Sequence, residues 1–267
     1  MEQRNKTFPG AFEATFLIIG LFVTEYLIGA LLHDLRSLSG IDPRDIEGAI
    51  ALLGNGILFT GLLHYKRMDY ASLFHPSKVS VMATVGTLGL PILFIIPALV
   101  LTVWTIEAIL VTAFPLAHWE QVMFERMMSG GAISVISVCL LAPVLEEMLF
   151  RGIVLRSFLH QYSRTTAIVG SAALFGLAHM NIYQFVVGVI FGCISGWLYE
   201  RARSLWPCIL LHLSYNSAVM VIYYTYGAQL GNDLWQPSIM FWTVAFLLGF
   251  CGTFLLQRLL IPSRVSA

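Results

Sequence analysis

The residues best suited to chemistry fall in three short clusters in the second half of the chain. Pro143-Val144-Leu145-Glu146-Glu147-Met148-Leu149-Phe150-Arg151-Gly152 sets two acids and an arginine in an otherwise apolar stretch. Phe175-Gly176-Leu177-Ala178-His179 follows, and then His212-Leu213-Ser214-Tyr215-Asn216. Ionisable side chains are expensive inside a bilayer, so each one there is a candidate for function. Glu147 and Arg151 share a helical face at i,i+4 with the acid on the N-terminal side, the favoured orientation for a helical ion pair. Glu146 lies about 100° round the helix from Glu147. It is the acid less committed to Arg151 and the freer one to handle protons. His212 and Asn216 share a face by the same spacing. Singly, none of these signals is specific. A membrane histidine commonly hydrogen-bonds a neighbouring helix, and a Glu–Arg pair can serve only as an assembly clamp.

The elements that must position these residues are membrane helices. Of 267 residues, 58% are hydrophobic and 11% are charged, less than half the charged share of soluble domains. The apolar residues gather in runs of about 20, the length a hydrocarbon core of about 30 Å requires. The fold class expected is all-α, a polytopic bundle of about eight transmembrane helices, with spans near 12–33, 48–65, 79–113, 131–150, 165–180, 183–200, 205–226 and 238–260. They group as N-terminal helices over 1–130 (three spans), a four-span core over 131–226 and a C-terminal helix over 227–267. The first span carries Glu13 and Glu25 with no A-x-A site after it, so it reads as a retained span rather than a signal peptide. Pro91 and Pro97 would kink or break the long third run.

Basic residues decide how often that run crosses. With one crossing and a cytoplasmic N-terminus, twelve of the fifteen Lys and Arg residues fall on one side; only Arg36, Arg44 and Arg126 fall on the other. That asymmetry is what the positive-inside rule expects, and two crossings would abolish it. Both termini are therefore expected to be cytoplasmic, with the bacterial cell membrane as the expected setting. Beyond the fourth span, Ile153–Leu159 reads as an amphipathic continuation at or beyond the interface. Gly188, Gly192 and Gly196 place small residues on one helical face, where a neighbour can approach closely. The four cysteines (Cys139, Cys193, Cys208, Cys251) read as buried hydrophobes. With a formal net charge of zero, nothing points to a nucleic-acid partner. Glu25, Asn55 and Glu107 lie within spans, where each can bond another helix or line a polar cavity. His33, His64, His75, His118 and His160 lie near span ends, where water or headgroups satisfy them.

Geometry draws the three clusters together. If spans four and five form an antiparallel hairpin turning near Tyr162-Ser163, Glu146 and His179 stand level. His212 reaches the same level if that hairpin protrudes past Arg203 and Trp206. Such a cluster suits activation of water plus stabilisation of an oxyanion, the two needs of amide hydrolysis.

In order, E-E-x-x-x-R-G, F-x-x-x-H and H-x-x-x-N resemble the CPBP intramembrane proteases, which include type II CAAX prenyl endopeptidases and bacteriocin-processing or immunity proteins. The resemblance covers about 140–220. It implies an intramembrane endopeptidase in which Glu146 and His179 activate the attacking water. His212 and Asn216 would bind the oxyanion, Glu147 and Arg151 would hold and orient the helix, and Phe175 would pack against the site wall. The family has also been described as metal-dependent, and Glu146, Glu147, His179 and His212 offer possible zinc ligands. Their spacing is not H-E-x-x-H, and the preferred reading is direct Glu/His chemistry without a cofactor. The implied partners are the lipid bilayer and a peptide or protein substrate, possibly lipidated. CAAX-type proteins and leader, pheromone or bacteriocin precursors all fit. Two other functions stay open. One is a non-catalytic immunity or scaffold protein of the same family; the other is a proton-coupled transporter, for which no inverted repeat is visible.

Overall fold

A computed structural model describes residues 7–39, 43–129, 131–230 and 237–261. Arg4, Lys6 and Arg264 lie outside the described residues, as do the side chains of Arg36 and Arg44. The chain is an all-α bundle. Its helices are α1 (Ala11–Ser39), α2 (Pro43–Lys66), the short α3 (Tyr70–Phe74), α4 (Val81–Ala113) and α5 (His118–Ser129), then α6 (Gly131–Phe158), α7 (Arg164–Leu177), α8 (Ile182–Ala202), α9 (Trp206–Leu230) and α10 (Ile239–Leu260). Polar caps set several boundaries. Ser80, Ser163, Asn181 and Ser238 each accept a backbone N–H from the first turn of α4, α7, α8 and α10, filling an otherwise unpaired donor.

Seven of the described helices are long and apolar enough to cross a bilayer, so the chain is a multi-pass integral membrane protein. The expected crossing at 165–180 is different. α7 has 14 residues, about 21 Å of helix, and stops in a turn where Met180 takes φ 56°. It is a short return leg held between longer neighbours. α4 is one continuous helix of 33 residues despite Pro91 and Pro97.

α7 and α8 pack antiparallel at close range. A Cβ on Gly188 would lie 2.9 Å from the Gly176 Cα, and one on Gly192 would lie 2.8 Å from the Ala172 Cβ. The small-residue face thus has the packing role expected of it. α1 and α2 form a separate hairpin, and α10 runs against α4, where a Cβ on Gly252 would meet the Pro91 carbonyl oxygen at 2.5 Å.

One end of the molecule gathers segments far apart in sequence. Gln161 Nε2 donates to the Pro9 carbonyl at 3.0 Å, and Arg156 Nη1 to the Ser72 carbonyl at 2.7 Å. The Leu205 amide donates to the Phe74 carbonyl at 2.8 Å, and His75 Nδ1 lies 2.8 Å from Ser204 Oγ. Away from that end, the Tyr183 hydroxyl donates to the Phe114 carbonyl. The loops after α2, α6 and α8 therefore share one face, as a single crossing of α4 requires. Reporters fused after Lys78, Arg164 and Arg203 should all read cytoplasmic, and one near Arg126 should read external. A cytoplasmic reading at Arg126 would contradict this arrangement.

α6 departs from regular α-helix in two places. Ser137–Leu141 and Met148–Leu155 have π-helical geometry, separated by the α-helical turn Ala142–Glu147. Pro143 accounts for the first. It lacks an N–H, and its ring crowds the carbonyl four residues back, so the preceding turn widens. The second stretch overlaps the expected amphipathic continuation at Ile153–Leu155, and the helix runs on through Phe158. Every residue from Met148 to Leu155 is buried, because α3, α7 and α8 close round it.

Candidate active site

The two adjacent glutamates on α6 have separate environments. Glu147 is fully buried. Its Oε1 lies 3.1 Å from Arg151 Nη1 and 3.0 Å from His212 Nδ1, while Oε2 accepts the Ser195 hydroxyl at 2.9 Å. Both oxygens are thus occupied, by groups from α6, α9 and α8. Arg151 is 1% exposed, and its guanidinium lies 4.7 Å from the centre of the Phe175 ring. That ring face adds a cation–π contact to the i,i+4 ion pair. The guanidinium makes no aligned hydrogen bond through either Nη, so its tie to Glu147 is chiefly charge attraction. Glu147 with Arg151 is a three-helix clamp.

Glu146 is 30% exposed through its side chain and faces a cavity of about 190 Å³ between α6 and the α1–α2 hairpin. His179, in the turn after α7, lines the same cavity. Its Nδ1 sits 2.9 Å from the Phe175 carbonyl. A carbonyl only accepts, so the Nδ1 proton is fixed there and neutral His179 keeps its lone pair on Nε2. Two proton acceptors, a carboxylate and an imidazole nitrogen, therefore belong to one largely apolar cavity inside a membrane-spanning bundle.

His212 links the two acids. With Nδ1 on Glu147, its Nε2 lies 3.7 Å from Glu146 Oε2. Phe191 and Phe175 hold the imidazole from the sides, with ring centroids 4.6 Å and 6.0 Å away. Asn216 lies one turn further along α9 and donates from Nδ2 to the Val138 carbonyl at 2.8 Å. That bond ties α9 to the first π-helical stretch and uses one of the two amide hydrogens. Neither His212 nor Asn216 is among the residues lining the cavity. Phe175 is buried and touches both histidines and Arg151, and it too is absent from the cavity lining.

The structure thus brings Glu146 and His179 into one cavity and sets His212 beside both glutamates, with Asn216 bonded just beyond. Reasoning from sequence missed Ser195, which is fully buried on Glu147. Its one signal is a hydroxyl beside the Gly192 and Gly196 face. Glu25 and Asn55 carried only a general expectation of bonding a helix or lining a cavity; Asn55 Nδ2 bonds Glu25 Oε1 at 3.1 Å, and both line the cavity that holds Glu146.

The fit for zinc is poor. Structural and catalytic zinc sites take three or four converging ligands. Among the described residues no three His, Cys, Asp or Glu side chains are grouped to hold a metal. Glu147 already faces His212 and Ser195 within hydrogen-bond distance and pairs with the Arg151 cation.

Comparison with known proteins bears out the resemblance carried by the motifs. Residues 128–218 match the family model described as type II CAAX prenyl endopeptidase Rce1-like. All seven residues selected above fall inside that segment. Over 90 residues the chain is 26% identical to a Bacillus subtilis (strain 168) protein named "Putative membrane peptidase YdiL". That stretch is 34% of this chain and 37% of the relative's length. No solved structure matches the chain.

Proposed function

We propose that this chain, an integral membrane protein with a type II CAAX prenyl endopeptidase-like core, is an intramembrane endopeptidase. It hydrolyses a peptide bond of a substrate presented from the bilayer. The observation that carries the reading is the cavity shared by Glu146 and His179, next to a glutamate already engaged by Arg151, His212 and Ser195. One acid anchors the site and the other is free to work.

A water in the cavity gives a proton to the Glu146 carboxylate or to His179 Nε2 as its oxygen attacks the scissile carbonyl. General-base assistance of this kind contributes about 10²–10⁴-fold. Charge then develops on the carbonyl oxygen. The remaining Asn216 amide hydrogen and protonated His212 Nε2 are the donors assigned to that oxyanion, which such groups stabilise strongly in a site shielded from water. Neutral His212 cannot serve in this way, because its one proton lies on the Nδ1 that faces Glu147. The Glu146–His179 pair returns the transferred proton to the departing amine as the C–N bond breaks. The family match supports peptide cleavage over proton-coupled transport. Short lipidated or leader-bearing substrates of the CAAX or bacteriocin-precursor kind fit a site placed within the bundle.

The reaction is read as metal-free, supported by the commitment of Glu147 and the lack of converging ligands. The purified chain in liposomes, given a membrane-peptide mixture in H₂¹⁸O, should release fragments carrying one ¹⁸O at the new carboxyl terminus, at an equal rate after strong chelation. Activity lost on chelation and restored by zinc alone would overturn the metal-free reading. The absence of ¹⁸O-labelled fragments would overturn hydrolysis itself.

A further inference from the structure

The wall of the cavity opposite Glu146 and His179 belongs to the α1–α2 hairpin, outside the segment that the family comparison covers. That wall is apolar at Ile18, Leu21 and Phe22 and then carries one acid, Glu25. Glu25 and Glu146 each lie about 20 Å along their helices from the shared end of the bundle, within segments long and apolar enough to cross a bilayer. Two features hold Glu25 in place. Asn55, 6% exposed, donates from Nδ2 to Glu25 Oε1 at 3.1 Å and to the Ala51 carbonyl at 3.0 Å. Gly54 leaves room for its stem, since a Cβ there would lie 2.5 Å from Glu25 Cγ.

Those two bonds use both hydrogens of the Asn55 amide. Among the described residues, Glu25 Oε2 has no hydrogen-bond partner and Glu25 has no ion pair. The buried guanidinium of the site, Arg151, is paired with Glu147. The cavity therefore presents acceptors from both walls and no cation of its own. A carboxylate at this depth is costly without a partner. The volume, about 190 Å³, holds roughly six waters or one long side chain.

We infer that Glu25 is a specificity-determining residue that binds the ammonium or guanidinium of a substrate lysine or arginine near the scissile bond. The inference rests on the reading of this cavity as the substrate site. A charge-assisted hydrogen bond to Oε2, sheltered from bulk water, is about twice as strong as a neutral one. Asn55 keeps the carboxylate turned towards the cavity, and Gly54 lets it stay there.

The test reads binding, so it does not depend on turnover. The full chain carrying Glu146→Gln is placed in phosphatidylcholine nanodiscs. It is then offered a library of twelve-residue peptides randomised at the six central positions, and retained peptides are sequenced by mass spectrometry. Lysine and arginine should be enriched on the order of tenfold at one position. The enrichment should vanish when Glu25→Gln is added, a change that keeps an acceptor for Asn55. It should also vanish with Gly54→Ala, which displaces the carboxylate while keeping its charge. Each variant is scored on material with the parent's size-exclusion profile. No basic enrichment, or enrichment that survives Glu25→Gln, would overturn the inference. So would enrichment abolished by replacing phosphatidylcholine with phosphatidylethanolamine, since a lipid amine would then be the natural occupant. If the chain without Glu146→Gln cuts none of the retained peptides, the endopeptidase reading fails separately, and the assignment of Glu25 stands on its binding result.

Discussion

Glu147→Ala should sharply reduce the amount of folded protein in the membrane, and Arg151→Ala should do the same. Each residue is buried at 0–1% exposure and forms the charge partner of the other. Removing one member of such a pair leaves an uncompensated buried charge, at a cost of about 3–5 kcal/mol. Folded domains are stable by about 5–15 kcal/mol in all, so a loss of that size is visible as lower yield and a lower unfolding temperature. Glu147→Ala does further damage, because His212 Nδ1 and the Ser195 hydroxyl lose their acceptor together. Arg151→Ala also strips the cation from the Phe175 ring. Replacing both residues with alanine removes both charges and should recover part of the folded yield, though no activity. Yield and unfolding temperature of the three variants, measured in one detergent, check this. Single variants as stable as wild type would show that the clamp is not what holds α6 to α8 and α9.

The ionisable part of the candidate site stood out in the sequence for a physical reason. A charged or titratable residue in an apolar run is conspicuous because the membrane penalises it, so Glu146, Glu147, Arg151, His179 and His212 stood out singly. Helical spacing paired Glu147 with Arg151, and the hairpin turn near Tyr162 set Glu146 level with His179. The cavity they share agrees with that placement. The rest depended on packing that spacing does not encode. Ser195 is a small hydroxyl with little penalty in a helix, so nothing marked it as a Glu147 donor. The end of α7 at Leu177 hides within an apolar run that continues through Ala178. The π-helical turns arise from Pro143 and from the elements enclosing Met148–Leu155. Glu25 lies more than a hundred residues from Glu146, and only tertiary packing puts the two on one cavity.

The central claim is that Glu146, and not its neighbour, handles the proton of the attacking water. Glu146→Gln keeps the side-chain volume and removes the base. Among the described residues Glu146 has no ion pair with Arg151, and its contact of this kind is with His212 Nε2 at 3.7 Å. The variant should therefore fold with wild-type yield and unfolding temperature while cutting substrate about 10²–10⁴-fold more slowly. His179→Ala should fall in the same range. The double variant should be little worse than either, because groups that act as a unit are not additive. The decisive measurement is the single-turnover cleavage rate of Glu146→Gln beside that of Glu147→Gln, with folded fraction recorded for both. The expected result is a folded, slow Glu146→Gln and a poorly folded Glu147→Gln. A Glu146→Gln chain that cuts at the wild-type rate, beside a Glu147→Gln chain that is well folded yet inert, would contradict it and exchange the roles of the two acids.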